Sequence, residues 1–371
     1  KLRILIVCGE LEMDSPSVYS VDIAEEFIRQ GHAVRFVCAG SKCDVLLNNL
    51  KERRASQDTG LDGQVVLEVP GLNSPILSFY RRYELKRAVR NFKPHIVHAT
   101  VEGSESTARS LAEAAGVPFV VTCHKYADSP PFPVSKRLAR VIAVSDDLRQ
   151  HLVNEAGMPK DLISVVPNGV NIRKYDIALS VSHDRVPVVG TFGKLVPRKG
   201  HPYFVNAAAR IIKSGISAHF LLCGDGPEEN SLRELVETLE ITESVTFSCY
   251  PFRAHSVIRE MDIFVLTSLQ ETLGFPALEA LAYGKAVVAF GVGGIYSFLK
   301  DGETGLVVSV KDTDGLVKAI VRLIEDPDLR VKLGRQGRAL VEEKFSMSSI
   351  AERLLTHYRS ALSSTGGGGL G

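Results

Sequence analysis

Residues 263–294 read IFVLTSLQETLGFPALEALAYGKAVVAFGVGG. An apolar, β-branched run (IFVLT) gives way to a polar loop containing Gly274. Pro276 then stands where a first helical turn accepts proline, because that N–H has no partner inside the helix in any case. Gly284 suits the end of the helix, and AVVAF resumes the strand pattern. Strand, helix and strand in about thirty residues make a βαβ unit, the connection that joins neighbouring strands of a parallel sheet.

Working outward, the same alternation recurs along the chain. VPVVGTFG from Val186, AHFLLCGDG from Ala218 and SVTFSCY from Ser244 precede the unit. Further upstream, LRILIVCG from Leu2, AVRFVCAG from Ala33, VVLEVP from Val65, HIVHAT from His95, PFVVTCH from Pro118 and RVIAVS from Arg140 form a second series. Between them, NGVNIRKYDIALSVSHDRVP (168–187) is polar and aperiodic, and a domain boundary is expected there. The reading is α/β: two doubly wound, Rossmann-like domains, residues 1–172 and 185–345, with ligands at the carboxyl ends of the strands and in the cleft between domains. Residues 346–364 read as a C-terminal helix returning toward the first domain, and the glycine-rich 365–371 as a flexible tail.

Composition narrows the function classes. The 371 residues carry 44 basic and 43 acidic side chains, a formal charge of +1. Such a balance argues against nucleic acid as a partner, because neutralising phosphates takes a basic surface. No apolar run approaches the roughly 18–20 residues that span a bilayer, and KLRILIVCG is too short and strand-like for a secretory signal, so a cytoplasmic location is expected. Six cysteines (Cys8, Cys38, Cys43, Cys123, Cys223, Cys249) contain no C-x-x-C pair, which points to free thiols rather than zinc or disulfides.

Three segments carry chemistry. In SLQETLGFPALEALAYG (268–284), Glu271 in the loop and Glu279, expected in the first helical turn, flank Gly274. Loop amides and a positive helix end suit an anion, and carboxylates suit sugar hydroxyls; alternatively Glu279 only complements the helix dipole. In VVGTFGKLVPRKGH from Val188, Lys194 and Lys199 follow a strand, where fixed cations can stabilise a departing diphosphate; a solvated basic turn is the plainer alternative, and the one assigned to Arg198. LLCGDGPEE adds Gly224 and Gly226, but lacks the third glycine of the dinucleotide fingerprint. DTD (312–314) and DPD (326–328) precede helices and read as caps rather than metal ligands. No metal and no cofactor are expected.

Taken in order, GKLVPRKG, CGDGP, the Glu271-x7-Glu279 spacing with ALAYGKAVVA, AVSDDLRQHL at Ala143, VVPNGV at Val165, GVGGI at Gly291 and DGETGLVV at Asp301 resemble the family 4 retaining glycosyltransferases of GT-B fold over nearly the whole chain. The resemblance implies metal-independent transfer of a hexosyl unit, with retention, from a nucleotide diphosphate sugar to an acceptor hydroxyl of a sugar, glycan or glycolipid. It implies that Lys199 and Lys194 hold the diphosphate and that amides around Leu273, Gly274 and Phe275 cradle it. Glu271 would orient the donor sugar, Glu279 would accept the ribose hydroxyls, and backbone near Tyr250 and Pro251 would meet the base. His124 would lie near the reacting centre, or be a satisfied structural histidine, and Gly9 would approach the phosphates. Lys194 departs from the family's usual arginine, and the GELEMDSPS loop departs from its usual Gly-Gly pair. A sugar-nucleotide epimerase of the same fold and an accessory nucleotide-sugar-binding protein are the competing readings. Product formation only when acceptor is supplied separates the transferase from the epimerase, and donor binding without transfer marks the accessory protein.

The basic stretch FYRRYELKRAVRNFK (79–93) predicts an amphipathic helix, either packed with a solvated charged face or in contact with a negatively charged acceptor or, peripherally, with the inner face of an anionic membrane.

Overall fold

The computed structural model describes residues 1–12, 14–41, 47–48, 50, 65–70, 72, 79–175, 185–248 and 254–365. The chain divides into two compact units, Lys1–Gly169 with Met347–Gly371, and Val170–Ser346.

The first unit carries strands β1 (Arg3–Val7), β2 (Glu10–Leu11), β3 (Ala33–Cys38), β4 (Gly40–Ser41), β5 (Val66–Glu68), β6 (Ile96–Ala99), β7 (Phe119–Cys123), β8 (Leu138–Ala143) and β9 (Ile163–Val165). Seven of them form a parallel sheet in the order β5-β3-β1-β6-β7-β8-β9, while β2 and β4 make a separate short pair. The order reverses beside β1, as in doubly wound sheets. β1 is buried at four of its five positions, which is why RILIV reads as a continuous rather than alternating apolar run.

The C-terminal helix Met347–Thr365 belongs to this unit's core. Ile350, Leu354, Tyr358 and Ala361 form one stripe at helical spacing, buried with Ile4, Phe27 and Phe36. Tyr358 also fixes the helix by a polar contact, its hydroxyl lying 2.5 Å from His98 Nδ1, while His98 Nε2 lies 2.7 Å from Thr122 Oγ1. Full burial lowers the His98 pKa from its ordinary 6.5 to about 3.

The second unit contains β10 (Val188–Phe192), β11 (His219–Cys223), β12 (Val245–Ser248), β13 (Ile263–Leu266), β14 (Ala286–Phe290) and β15 (Leu306–Val308), all parallel, in the order β12-β11-β10-β13-β14-β15. Its main core cluster gathers Phe204, Ile320 and Leu333 from helices against Phe220, Val265 and Val288, which are alternate positions on one face of the sheet. The two acidic tripeptides are caps: Asp312 accepts from the Gly315 N–H at 2.8 Å and Asp326 from the Leu329 N–H at 2.8 Å. The helix Pro327–Leu340 passes into a π-helical turn, Val341–Phe345, before the final helix.

The helix Phe79–Phe92 forms where expected, but Leu85, Val89 and Phe92 are buried. Its apolar stripe is therefore spent on the protein interior, and only the charged face remains for a surface. Cys8, Cys38, Cys123 and Cys223 are buried, and burial pushes the Cys8 thiol up to about 12. Cys43 and Cys249 lie outside the described residues. Among the described residues no helix is long and apolar enough to cross a membrane.

Two buried histidines give a pH prediction. Desolvation holds His98 near 3 and His201 near 4, each below the ordinary 6.5 of the unfolded chain. The stability from keeping them neutral is complete above pH 6.5 and is lost as pH falls toward those values. The loss is about 1.4 kcal/mol per pH unit for each histidine. Urea unfolding should thus show a steadily falling free energy from pH 6.5 to 5, and a flat profile there would contradict these environments.

Candidate functional site in the second unit

All strands of a parallel sheet end on one edge, so the loops after β10, β11, β13 and β14 share that edge. Backbone bonds show them meeting. The Leu195 N–H donates to the Asp225 carbonyl at 2.8 Å, the Leu269 N–H to the Arg198 carbonyl at 2.8 Å, and the Gly294 N–H to the Glu271 carbonyl at 3.1 Å. Two glycines permit this closeness. A methyl group on Gly224 would run into the Gly193 carbonyl, and one on Gly294 into the Thr272 carbonyl. The CGDGP glycines thus serve loop-to-loop packing, which the G-x-G reading had not specified.

At the centre lies a buried ion pair. Lys199, in the short 3-10 turn Pro197–Lys199, is 9% exposed and Glu271 is 6% exposed, and the Lys199 ammonium contacts Glu271 Oε1 directly. Ser268 Oγ donates to the same carboxylate oxygen at 2.8 Å. Thr267 Oγ1 donates to the Lys199 carbonyl at 3.2 Å, tying the two loops from the other side. A charge pair this dry persists only when hydrogen-bonded on both partners, because removing each ion from water costs several kcal/mol. The plain basic-turn alternative is thereby excluded for Lys199. It fits Arg198, which is exposed.

Lys194 is placed differently. It is 58% exposed and pairs at 3.3 Å with the equally exposed Asp225. An exposed pair of this kind adds roughly 0–1 kcal/mol, so Asp225 leaves Lys194 available to another anion. Two residues after Lys199, His201 donates from Nε2 to the Lys194 carbonyl at 3.2 Å, and its burial keeps it neutral near neutral pH.

The loop then enters the helix Phe275–Ala282 through Gly274, whose φ of 89° places the turn in the left-handed region. Leu273 and Phe275 point inward, 3% and 6% exposed, which fixes the backbone amides between them at the helix start. Glu279 is the fifth residue of this helix, in its second turn rather than the first. Dipole complementation falls off beyond the first turn, so that explanation of Glu279 is set aside. Instead Glu279 is buried, and Oε1 accepts a hydrogen bond from the Tyr175 hydroxyl at 2.9 Å. Tyr250 and Pro251, expected at the base, lie outside the described residues.

In the first unit, His124 follows β7 and is 6% exposed. Its Nε2–H donates to the Thr100 carbonyl at 2.9 Å, its Nδ1 accepts from Asn168 Nδ2 at 3.2 Å, and Tyr19 packs edge-on at 5.8 Å. Both ring nitrogens are engaged, the pattern of a structurally satisfied histidine. Its backbone N–H donates to Glu102 Oε1 at 2.7 Å. Gly9 lies between β1 and β2, where its carbonyl accepts from Ala39 N–H at 3.0 Å. Tyr175, Ser268 and Asn168 are the site contacts the sequence reading missed. Ser268 alone had a signal, standing three residues before Glu271.

No group of three or more His, Cys, Asp or Glu residues placed to hold a metal ion occurs among the described residues.

Comparison with known proteins agrees with this architecture. Residues 17–174 match the family model described as Glycosyltransferase Family 4, and residues 177–340 the model described as Glycosyl transferases group 1. The chain is 27% identical over 297 residues to an alpha-D-kanosaminyltransferase of Streptomyces kanamyceticus, covering 71% of this chain and 76% of that protein. It is 31% identical over 287 residues to the alpha-maltose-1-phosphate synthase of Mycolicibacterium smegmatis, covering 66% and 73% respectively. A glycosyltransferase structure from Rickettsia africae superposes with a TM-score of 0.78 at 19% identity, over 98% of this chain and 99% of that one. HepE of Anabaena, solved with UDP and glucose, superposes with a TM-score of 0.77 at 19% identity, over 97% of this chain and 100% of that one.

Proposed function

The chain belongs to glycosyltransferase family 4, with the GT-B fold, and from that premise we propose that it transfers a hexosyl unit from a nucleotide diphosphate sugar to an acceptor hydroxyl of a glycan or glycolipid, with retention and without a metal. The observation that carries the reading is the buried Lys199–Glu271 pair beside the Gly274 turn. In a nucleotide sugar, a hexose hydroxyl and a phosphate oxygen are close neighbours. A carboxylate and an ammonium in direct contact match that spacing, one for each group.

In this reading Lys199 faces the diphosphate, whose charge grows as its bond to the anomeric carbon breaks and the electron pair passes to the phosphate oxygen. Lys194 supplies a second, more exposed cation, and the Leu273–Phe275 amides cradle the same group. Glu271, fixed by Lys199 and Ser268, accepts hydroxyls of the hexose. The acceptor oxygen bonds the anomeric carbon on the face the diphosphate leaves, and its proton passes to the departing phosphate oxygen. Such chemistry draws its rate from positioning and from charge already in place.

A uridine diphosphate hexose is the first donor to test, given the UDP and glucose bound to HepE. The experiment is a product-detected screen of nucleotide sugars against sugar and glycolipid acceptors in excess EDTA. Acceptor-dependent release of nucleoside diphosphate, unchanged by EDTA, is expected. Turnover without acceptor, or none after chelation, would refute the reading.

A peripheral contact with anionic lipid, through the helix Phe79–Phe92, belongs to the same proposal. It rests on charge alone, since Lys86, Arg87 and Arg90 lie on a helix whose apolar side is buried. Each cation near an anionic leaflet contributes about 1 kcal/mol. Co-sedimentation with anionic vesicles at low salt should therefore fall at least tenfold for Lys86→Glu with Arg87→Glu, and neutral vesicles should bind neither protein. Absence of wild-type binding would confine this helix to a packing role.

A further inference from the structure

The helix that presents Glu279 is held by a residue far away in sequence. Tyr175 ends the 3-10 turn Ile172–Lys174 and is 4% exposed. Its hydroxyl donates to Glu279 Oε1 at 2.9 Å across 104 positions of sequence. We infer that Tyr175 is a positioning residue of the nucleotide site, its hydroxyl fixing the Glu279 carboxylate in the orientation that receives the ribose hydroxyls. The inference rests on the proposed role of Glu279.

The tyrosine is itself held by its ring and by its backbone carbonyl. Its ring meets Tyr283 edge-on, with centroids 4.7 Å apart and planes at 70°. Tyr283 is four residues beyond Glu279, so the ring and the carboxylate it serves lie on one helix face. Arg338 Nη1 donates to the Tyr175 carbonyl at 3.4 Å and to the carbonyl of Ala282, the last residue of the Glu279 helix. Arg338 is in turn oriented through Nε by Glu342 Oε1 at 2.6 Å. The guanidinium thus joins the Tyr175 segment to the end of the helix where partial negative charge gathers.

The choice of a phenol matters chemically. A carboxylate offers about four acceptor positions. The Tyr175 phenol is a neutral donor, so its bond to Oε1 orients the carboxylate without adding a counter-charge that would weaken charge-assisted bonds to hydroxyls. A lysine or arginine at position 175 would set the rotamer and also neutralise the acceptor.

The test is Tyr175→Phe, which keeps the ring against Tyr283 and deletes only the donor. Calorimetry uses UDP, GDP, ADP and CDP with their 2′-deoxy counterparts, taking the ribonucleotide that wild type binds most tightly. The variant should bind it roughly tenfold more weakly, with kcat at saturating donor within about twofold. Wild type should discriminate against the 2′-deoxy nucleotide, and the variant should have lost most of that discrimination. A merely structural tyrosine would weaken both nucleotides equally or neither, and either result overturns the inference. Glu279→Ala, measured alongside, separates the two levels. Weakened binding in Glu279→Ala with an unaltered Tyr175→Phe removes only the tyrosine, whereas unaltered binding in both removes the ribose site itself.

Discussion

Lys199→Ala should lower kcat by a factor on the order of 10² to 10³, the loss that follows from deleting one preorganised group that stabilises charge in the transition state. The structure complicates this experiment in an informative way. Lys199 is also the cation that Glu271 pairs with in a site where both side chains are at least nine-tenths buried. Removing one partner of a buried pair costs about 3–5 kcal/mol, so the single variant should unfold more readily as well as react more slowly. Lys199→Ala combined with Glu271→Gln removes the uncompensated charge and should recover most of the lost stability, measured by urea unfolding. The double variant should regain none of the lost kcat, because the cation proposed to meet the diphosphate is still missing. Recovery of turnover together with stability would assign Lys199 to the fold alone.

Glu279→Ala should weaken binding of the matching nucleoside diphosphate by roughly 10² or more. A hydrogen bond to a charged group contributes about 1.5–3 kcal/mol, and the proposed role of this carboxylate is to accept two ribose hydroxyls. Truncation also leaves the buried Tyr175 hydroxyl without its acceptor, which adds a stability cost of about 1–3 kcal/mol. Glu279→Gln keeps an acceptor for Tyr175 while removing the charge, so it should fold like wild type and lose an intermediate share of affinity. Calorimetry on all three proteins separates charge from shape. Equal affinity in folded Glu279→Ala would take the residue out of nucleotide binding.

Much of this was legible in the sequence, for reasons of short range. The βαβ rhythm of 263–294 appears because a buried parallel strand is continuously apolar and its crossover helix must be capped and ended within a few residues. Glu271 and Lys199 were readable because each lies in the loop that follows a strand, and in a parallel sheet that fixes the edge on which it lies. What the sequence hid is what depends on distance along the chain. Tyr175 stands in a polar segment that looked like a bare boundary, and only the folded chain brings it to Glu279. Lys194 and Lys199 read alike five residues apart. The 3-10 turn Pro197–Lys199 buries the second and leaves the first in solvent. The helix Phe79–Phe92 was readable as amphipathic, but no local pattern says whether a protein core or a membrane covers its apolar stripe. Leu85, Val89 and Phe92 are covered by the protein.

The central claim is retaining, metal-free transfer, with the developing charge met by Lys199. Its most direct test is the anomeric configuration of the first product formed from an α-linked nucleotide hexose, followed by proton NMR during turnover in excess EDTA. The account predicts an α-linked product at an unchanged rate. A β-linked product, or turnover that stops on chelation and returns with a divalent cation, would contradict it.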